Sequence, residues 1–98
     1  MTPEDLRGAW RLLRADPALG FAEGVRMVFR APDSLEYSFL AGGTRHVVDL
    51  AYRLEGQVLR TVVVGTTHEA AAGIEFGPGH VLVLDFGGLR AWLVRELT

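Results

Sequence analysis

The chain has 98 residues, 49% of them apolar, with ten basic and twelve acidic side chains and a net charge of −2. That is one domain with enough apolar surface for a core. Its acidic balance speaks against a nucleic-acid surface, which is strongly basic. No apolar run approaches the roughly 18 residues of a membrane helix, so no membrane span is expected. Cysteine, lysine and asparagine are absent, which removes disulfides, thiolate chemistry and Schiff bases. The ten arginines are scattered from Arg7 to Arg95, a distribution that fits genomic base composition better than a clustered anion site. The opening Met1-Thr2-Pro3-Glu4-Asp5 is acidic where a secretory signal is basic, so the expected location is cytoplasmic.

Thr2-Pro3-Glu4-Asp5 carries a helix start: a capping hydroxyl, proline at the first helical position and acids in the first turn. The favoured reading is one helical turn at Pro3–Arg7 and a strand at Ala9–Arg14. Leu6, Trp10 and Leu13 also fit a helix of three turns. Asp16-Pro17 ends either one. In Gly24–Arg30, Val25, Met27 and Phe29 share one face. After the turn Ala31-Pro32-Asp33, Leu35, Tyr37 and Phe39 do the same.

Ala41-Gly42-Gly43 turns the chain into Thr44–Leu54, which places His46, Val48, Leu50, Tyr52 and Leu54 together. Glu55-Gly56 reads as a two-residue hairpin turn. It sets Leu54 opposite Gln57, Tyr52 opposite Leu59, Leu50 opposite Thr61, Val48 opposite Val63 and His46 opposite Gly65. Beyond Gly65-Thr66-Thr67, His68, Ala70, Ala72, Ile74 and Phe76 alternate with Glu69, Ala71, Gly73 and Glu75. The small side chains leave space beside this strand.

Gly77-Pro78-Gly79 precedes a strand at His80–Phe86, with Leu82, Leu84 and Phe86 on one face. Gly87-Gly88 then sets Phe86 opposite Leu89, Asp85 opposite Arg90, Leu84 opposite Ala91, Val83 opposite Trp92 and Leu82 opposite Leu93. Seven to eight strands in meander order predict an all-β antiparallel barrel, since a long twisted sheet removes its edges by closing. Leu82, Leu84, Leu50 and Val48 are expected to be sealed inside.

Leu6-Arg7-Gly8-Ala9-Trp10-Arg11-Leu12 resembles the G-x-W opening of lipocalins and of small bacterial lipocalin-like domains. Further matches follow in order. Val28-Phe29 before a Pro-Asp turn is similar to the family's second strand. Tyr52-Arg53-Leu54-Glu55-Gly56-Gln57-Val58-Leu59 is similar to its hairpin. Leu82-Val83-Leu84 followed by Leu93-Val94-Arg95 resembles its closing hairpin. The resemblance implies a small β-barrel behind a short helical turn, with Trp10 and Arg95 as a structural pair. It supplies no function, since many small bacterial members have none assigned.

Met27, Tyr37, Phe39, Tyr52 and Thr61 share the inward face, with His46 and His68 toward strand ends. Together they are the candidate lining of an apolar ligand cavity; the alternative is that they fill the barrel. His46, His68 and His80 could share a barrel mouth, but no H-x-H or H-x₃-H spacing supports a metal site, so no metal or other cofactor is expected. His46, His68 or Tyr52, with Glu75, are the candidates for acid–base work, although Glu75 and Asp49 fall on the outward parity. Val81, Val83, Trp92 and Val94 share the outward face of the last hairpin, with Val62 and Val64 extending it. Such a patch would suit a homodimer.

Three readings follow: a non-catalytic module binding a small apolar ligand, a self-associating structural protein, and a small-barrel cyclase or isomerase.

Overall fold

The computed structural model describes residues 1–96. A four-residue helix α1 (Pro3–Leu6) is followed by eight strands: β1 (Gly8–Ala15), β2 (Glu23–Arg30), β3 (Ser34–Ala41), β4 (Thr44–Glu55), β5 (Val58–Val63), β6 (Glu69–Phe76), β7 (Leu82–Phe86) and β8 (Leu89–Arg95). Each pairs antiparallel with the next, and β8 returns to β1, closing the barrel. The eight-strand meander is therefore the observed fold, and the N-terminal segment takes the turn-then-strand reading rather than three helical turns.

Closure follows from period-two alternation. Met27, Phe29, Leu35, Tyr52, Leu59, Ile74, Leu82, Leu84 and Leu93 form one buried cluster with Trp10 and Leu6. Leu82 and Leu84 are sealed as expected, whereas Leu50 and Val48 are only half-buried. The closing hairpin pairs residue for residue as Gly87-Gly88 predicts, including Val83–Trp92 and Asp85–Arg90.

Two expectations are corrected. The β4–β5 register pairs Leu54 with Leu59, Tyr52 with Thr61 and Leu50 with Val63, so the turn is Gly56-Gln57. Gly56 has φ +62°, and in a II′ turn the first central position is the one that needs a positive φ. The slip is two residues, so side-chain parity survives. His80 does not begin a strand. It ends the 3₁₀ turn Pro78–His80 at φ +61°.

Alternating strand direction gives the barrel two ends. The base holds α1, the β2–β3, β4–β5 and β6–β7 turns, and Arg95. The mouth holds the β1–β2 connection, Gly42-Gly43, the β5–β6 loop and Gly87-Gly88. Among the described residues no helix is long and apolar enough to cross a membrane.

Candidate functional site

The small side chains of β6 set the interior. Ala70 pairs with Thr61 and Ala72 with Leu59, so this part of the wall projects little into the lumen. A cavity of about 210 Å³ results, lined by Met27, Leu35, Tyr37, Leu50, Leu59, Thr61, Ala70, Ala71, Ala72 and Leu84, with Phe21 and Phe86 at its upper rim. The only side-chain polar groups in this wall are the hydroxyls of Tyr37 and Thr61. Burial pushes the Tyr37 hydroxyl's ionisation up, so it stays a neutral donor.

The β1–β2 connection lies over the mouth. Asp16 N–H donates to Arg90 O at 2.8 Å, and the Asp16 carboxylate accepts from Ala18 N–H at 3.1 Å, fixing the 3₁₀ turn Pro17–Leu19. Leu19 and Phe21 then pack on the core, with the Phe21 ring edge-on to Phe86 at 6.1 Å. Phe21, Phe86 and the leucines of the wall were absent from the sequence-based lining. Their inward parity was readable for Phe86, Leu35, Leu50, Leu59 and Leu84, but nothing local marks Phe21 as folding back.

Of the expected ligand residues, Met27, Tyr37 and Thr61 line the cavity. Tyr52 does not. It is 5% exposed, its ring stands edge-on to Phe29 at 5.1 Å, and its hydroxyl has no hydrogen-bond partner among the described residues. Burial raises its ionisation too. Phe39 lies between Tyr37 (5.9 Å) and His46, whose ring stacks on it at 5.4 Å. His46 pairs with Phe39 on β3, and on the β5 side it does not face Gly65, because the β4–β5 register is shifted by two residues and its pairing stops at Leu50–Val63. His46 is exposed. His68 is exposed as well, in the β5–β6 loop, where its N–H donates to Thr66 Oγ1 at 3.0 Å.

The histidines do not share one end. His46 and His68 are toward the mouth, while His80 is at the base beside Glu4, Phe76 and Arg95. Among the described residues no group of three or more His, Cys, Asp or Glu side chains could hold a metal ion. Glu75 and Asp49 are exposed on the outer surface, away from the lumen.

The outward patch expected on the closing hairpin is largely covered. Val83 is 7% exposed, with its methyl close to Gly77, where a β-carbon would lie 3.3 Å from it. The Arg14 guanidinium lies 4.1 Å over the Trp92 ring. Val81, Val94 and Val62 are half-buried, and only Val64 is well exposed.

A closed antiparallel meander of eight strands, with a short helical turn at its base and an apolar lumen, is a small lipocalin-like fold. The solved structure of a lipocalin-like protein from Bacteroides uniformis ATCC 8492 is similar to this chain with a TM-score of 0.74. The match covers 95% of this chain and 99% of that one, at 19% sequence identity. No family model matches the chain. No curated protein matches it either.

Proposed function

We propose that the chain is a non-catalytic binding module for a small apolar ligand held in the barrel lumen. The observation that carries this reading is the cavity of about 210 Å³ between the alanines of β6 and the leucine and phenylalanine side chains facing them. An apolar cavity of about 150 Å³ stays dry and takes benzene. The ligand that fits is therefore a single ring with short apolar substituents, because the surface this wall presents is almost wholly apolar.

Neither an imidazole nor a carboxylate is in the described cavity wall, so proton transfer at a bound ligand has no ionisable side chain to carry it beyond the Tyr37 phenol. That favours binding over a cyclase or isomerase. The test is a titration of the full chain with toluene, followed by methyl NMR. Saturable shifts confined to Met27, Leu50, Leu59, Ala72 and Leu84 are expected. A spectrum unmoved at toluene saturation overturns the reading.

A further inference from the structure

The outer face of β4 and its neighbours carries charges in an unfavourable order. Glu36 stands opposite Asp49 on the β3–β4 ladder, and Arg53 stands opposite Arg60 on the β4–β5 ladder. Like charges directly opposite each other destabilise a sheet. Arg30 relieves Glu36 at 3.4 Å, and the single carboxylate of Glu55 accepts from Nε of both Arg53 and Arg60. Among the described residues neither Asp49 nor Glu69 has an ion pair. Asp49 and Arg53 each lie two residues from Ala51 along β4, so an acidic and a basic end flank one alanine.

Between the two ends the face is hollow. Ala51 pairs with Val62, and Arg60 with Ala71. Their short side chains leave a groove of about 330 Å³, walled by Arg53, Arg60, Glu69 and Asp33. Val64 stands just beyond it. Its N–H donates to Asp49 O at 3.0 Å, which continues the outward parity of Arg60 and Val62. Its side chain is 62% exposed, the most exposed large apolar residue described.

We infer that this face binds a second copy of the chain in a two-fold dimer. An axis crossing β4 at Ala51, in the plane of the contact, lays Asp49 and Glu36 of each copy against Arg53 and Arg60 of the other. The same rotation carries each Val64 onto the other copy's groove, over Val62 and Ala71. Charge and shape are satisfied by one operation, and an isologous contact makes every pairing twice. Like-charge pairs that are unfavourable within one copy meet their opposites across the contact, and both Val64 side chains leave water. A partner of a single charge sign would satisfy one end of the face and repel the other. The contact lies outside the barrel and does not involve the lumen.

Sedimentation equilibrium of the full chain is expected to show a monomer–dimer equilibrium. Asp49→Arg and Arg53→Asp each set like charges across both contacts, and each is expected to weaken association at least about tenfold. Mixed in equal amounts, the two variants restore it, since one contact is then the wild-type pair and the other the same pair reversed. Val64→Glu, which sets a carboxylate beside the other copy's Glu69, is expected to dissociate the dimer. Leu13→Glu, on β1 and away from this face, is expected to leave it intact. All four positions are exposed, so the barrel itself survives these changes. A wild-type chain that stays monomeric at about millimolar concentration overturns the proposal. So does a dimer that Val64→Glu leaves intact, one that Leu13→Glu dissociates, or a mixture of the two charge variants that fails to associate.

Discussion

The guanidinium of Arg95 lies 4.2 Å over the Trp10 ring and donates to the main-chain oxygens of Arg7 and Asp5. Trp10 in turn donates from Nε1 to Leu6 O at 2.8 Å. Carbonyls at the end of α1, which a four-residue helix cannot satisfy itself, thus find partners on β1 and β8. The last strand is thereby tied to the first turn of the chain, and the base of the barrel is shut by polar bonds over a buried indole.

Replacing Arg95 by alanine removes the stacking and both hydrogen bonds together. The expected cost is about 1–3 kcal/mol, which for a chain of this size lowers Tm by about 4–8 °C per kcal/mol. Arg95→Lys recovers little, since an ammonium cannot span two carbonyls and stack at once. Thermal melting of both variants is the check, and an unchanged Tm for Arg95→Ala contradicts the role.

Gly8 makes that approach feasible. Its φ is +117°, and a β-carbon there would lie 2.9 Å from Arg95 Nη1. Gly8→Ala combines an unfavourable backbone region with displacement of the guanidinium. A loss exceeding about 1 kcal/mol is expected. In denaturant unfolding the double variant Gly8→Ala/Arg95→Ala should lose less than the two singles added together, because both act on one contact.

Much of this fold was legible because its turns carry their own chemistry. Gly87-Gly88 fixed the closing register, and the alternation of Leu82, Leu84 and Phe86 fixed which face is inside. The β4–β5 hairpin shows where that reading slips. Placing Glu55 first in the turn asks a residue with a side chain for a positive φ, whereas Gly56 in that position supplies it. The Trp10–Arg95 pair was available only through a family resemblance, since no local signal joins the two ends of a chain. The site was half legible. Parity put Met27, Tyr37 and Thr61 inward, and the alanines of β6 announced space. Phe21 comes from an irregular connection with no periodicity to read. Tyr52, of equal parity, sits too deep against Phe29 to reach the cavity.

Acid should lower the stability of this protein in part by way of four carboxylates, each close to the surface. A hydrogen bond from Arg26 holds Glu96 below its ordinary value, and the Gly88 N–H, aided by Arg90, does the same for Asp85. The Thr2 N–H and hydroxyl lower Asp5, and Arg60, with Arg53, lowers Glu55. Their folded pKa values lie below the unfolded ones, so their contribution is full above the unfolded carboxyl range of about 4 and is lost as pH falls through the depressed folded values. Tm measured near pH 6 is therefore expected to exceed that near pH 3, with Glu96→Gln narrowing the difference. A Tm that rises on acidification contradicts this assignment.

Ala72→Leu tests whether the lumen is space or packing. Ala72 is buried, faces inward opposite Leu59 and lines the cavity. Added methyl groups entering open space in the lumen are taken out of water without displacing protein, and the expected gain is about 1 kcal/mol. Forced into an already filled core, the same groups would cost about 1–3 kcal/mol. Denaturant unfolding distinguishes the two by sign. The same variant should abolish toluene binding, because it occupies the volume the ring needs. A stabilised protein that no longer binds is the expected outcome. A destabilised one shows that the wall beside β6 has no room for a ligand.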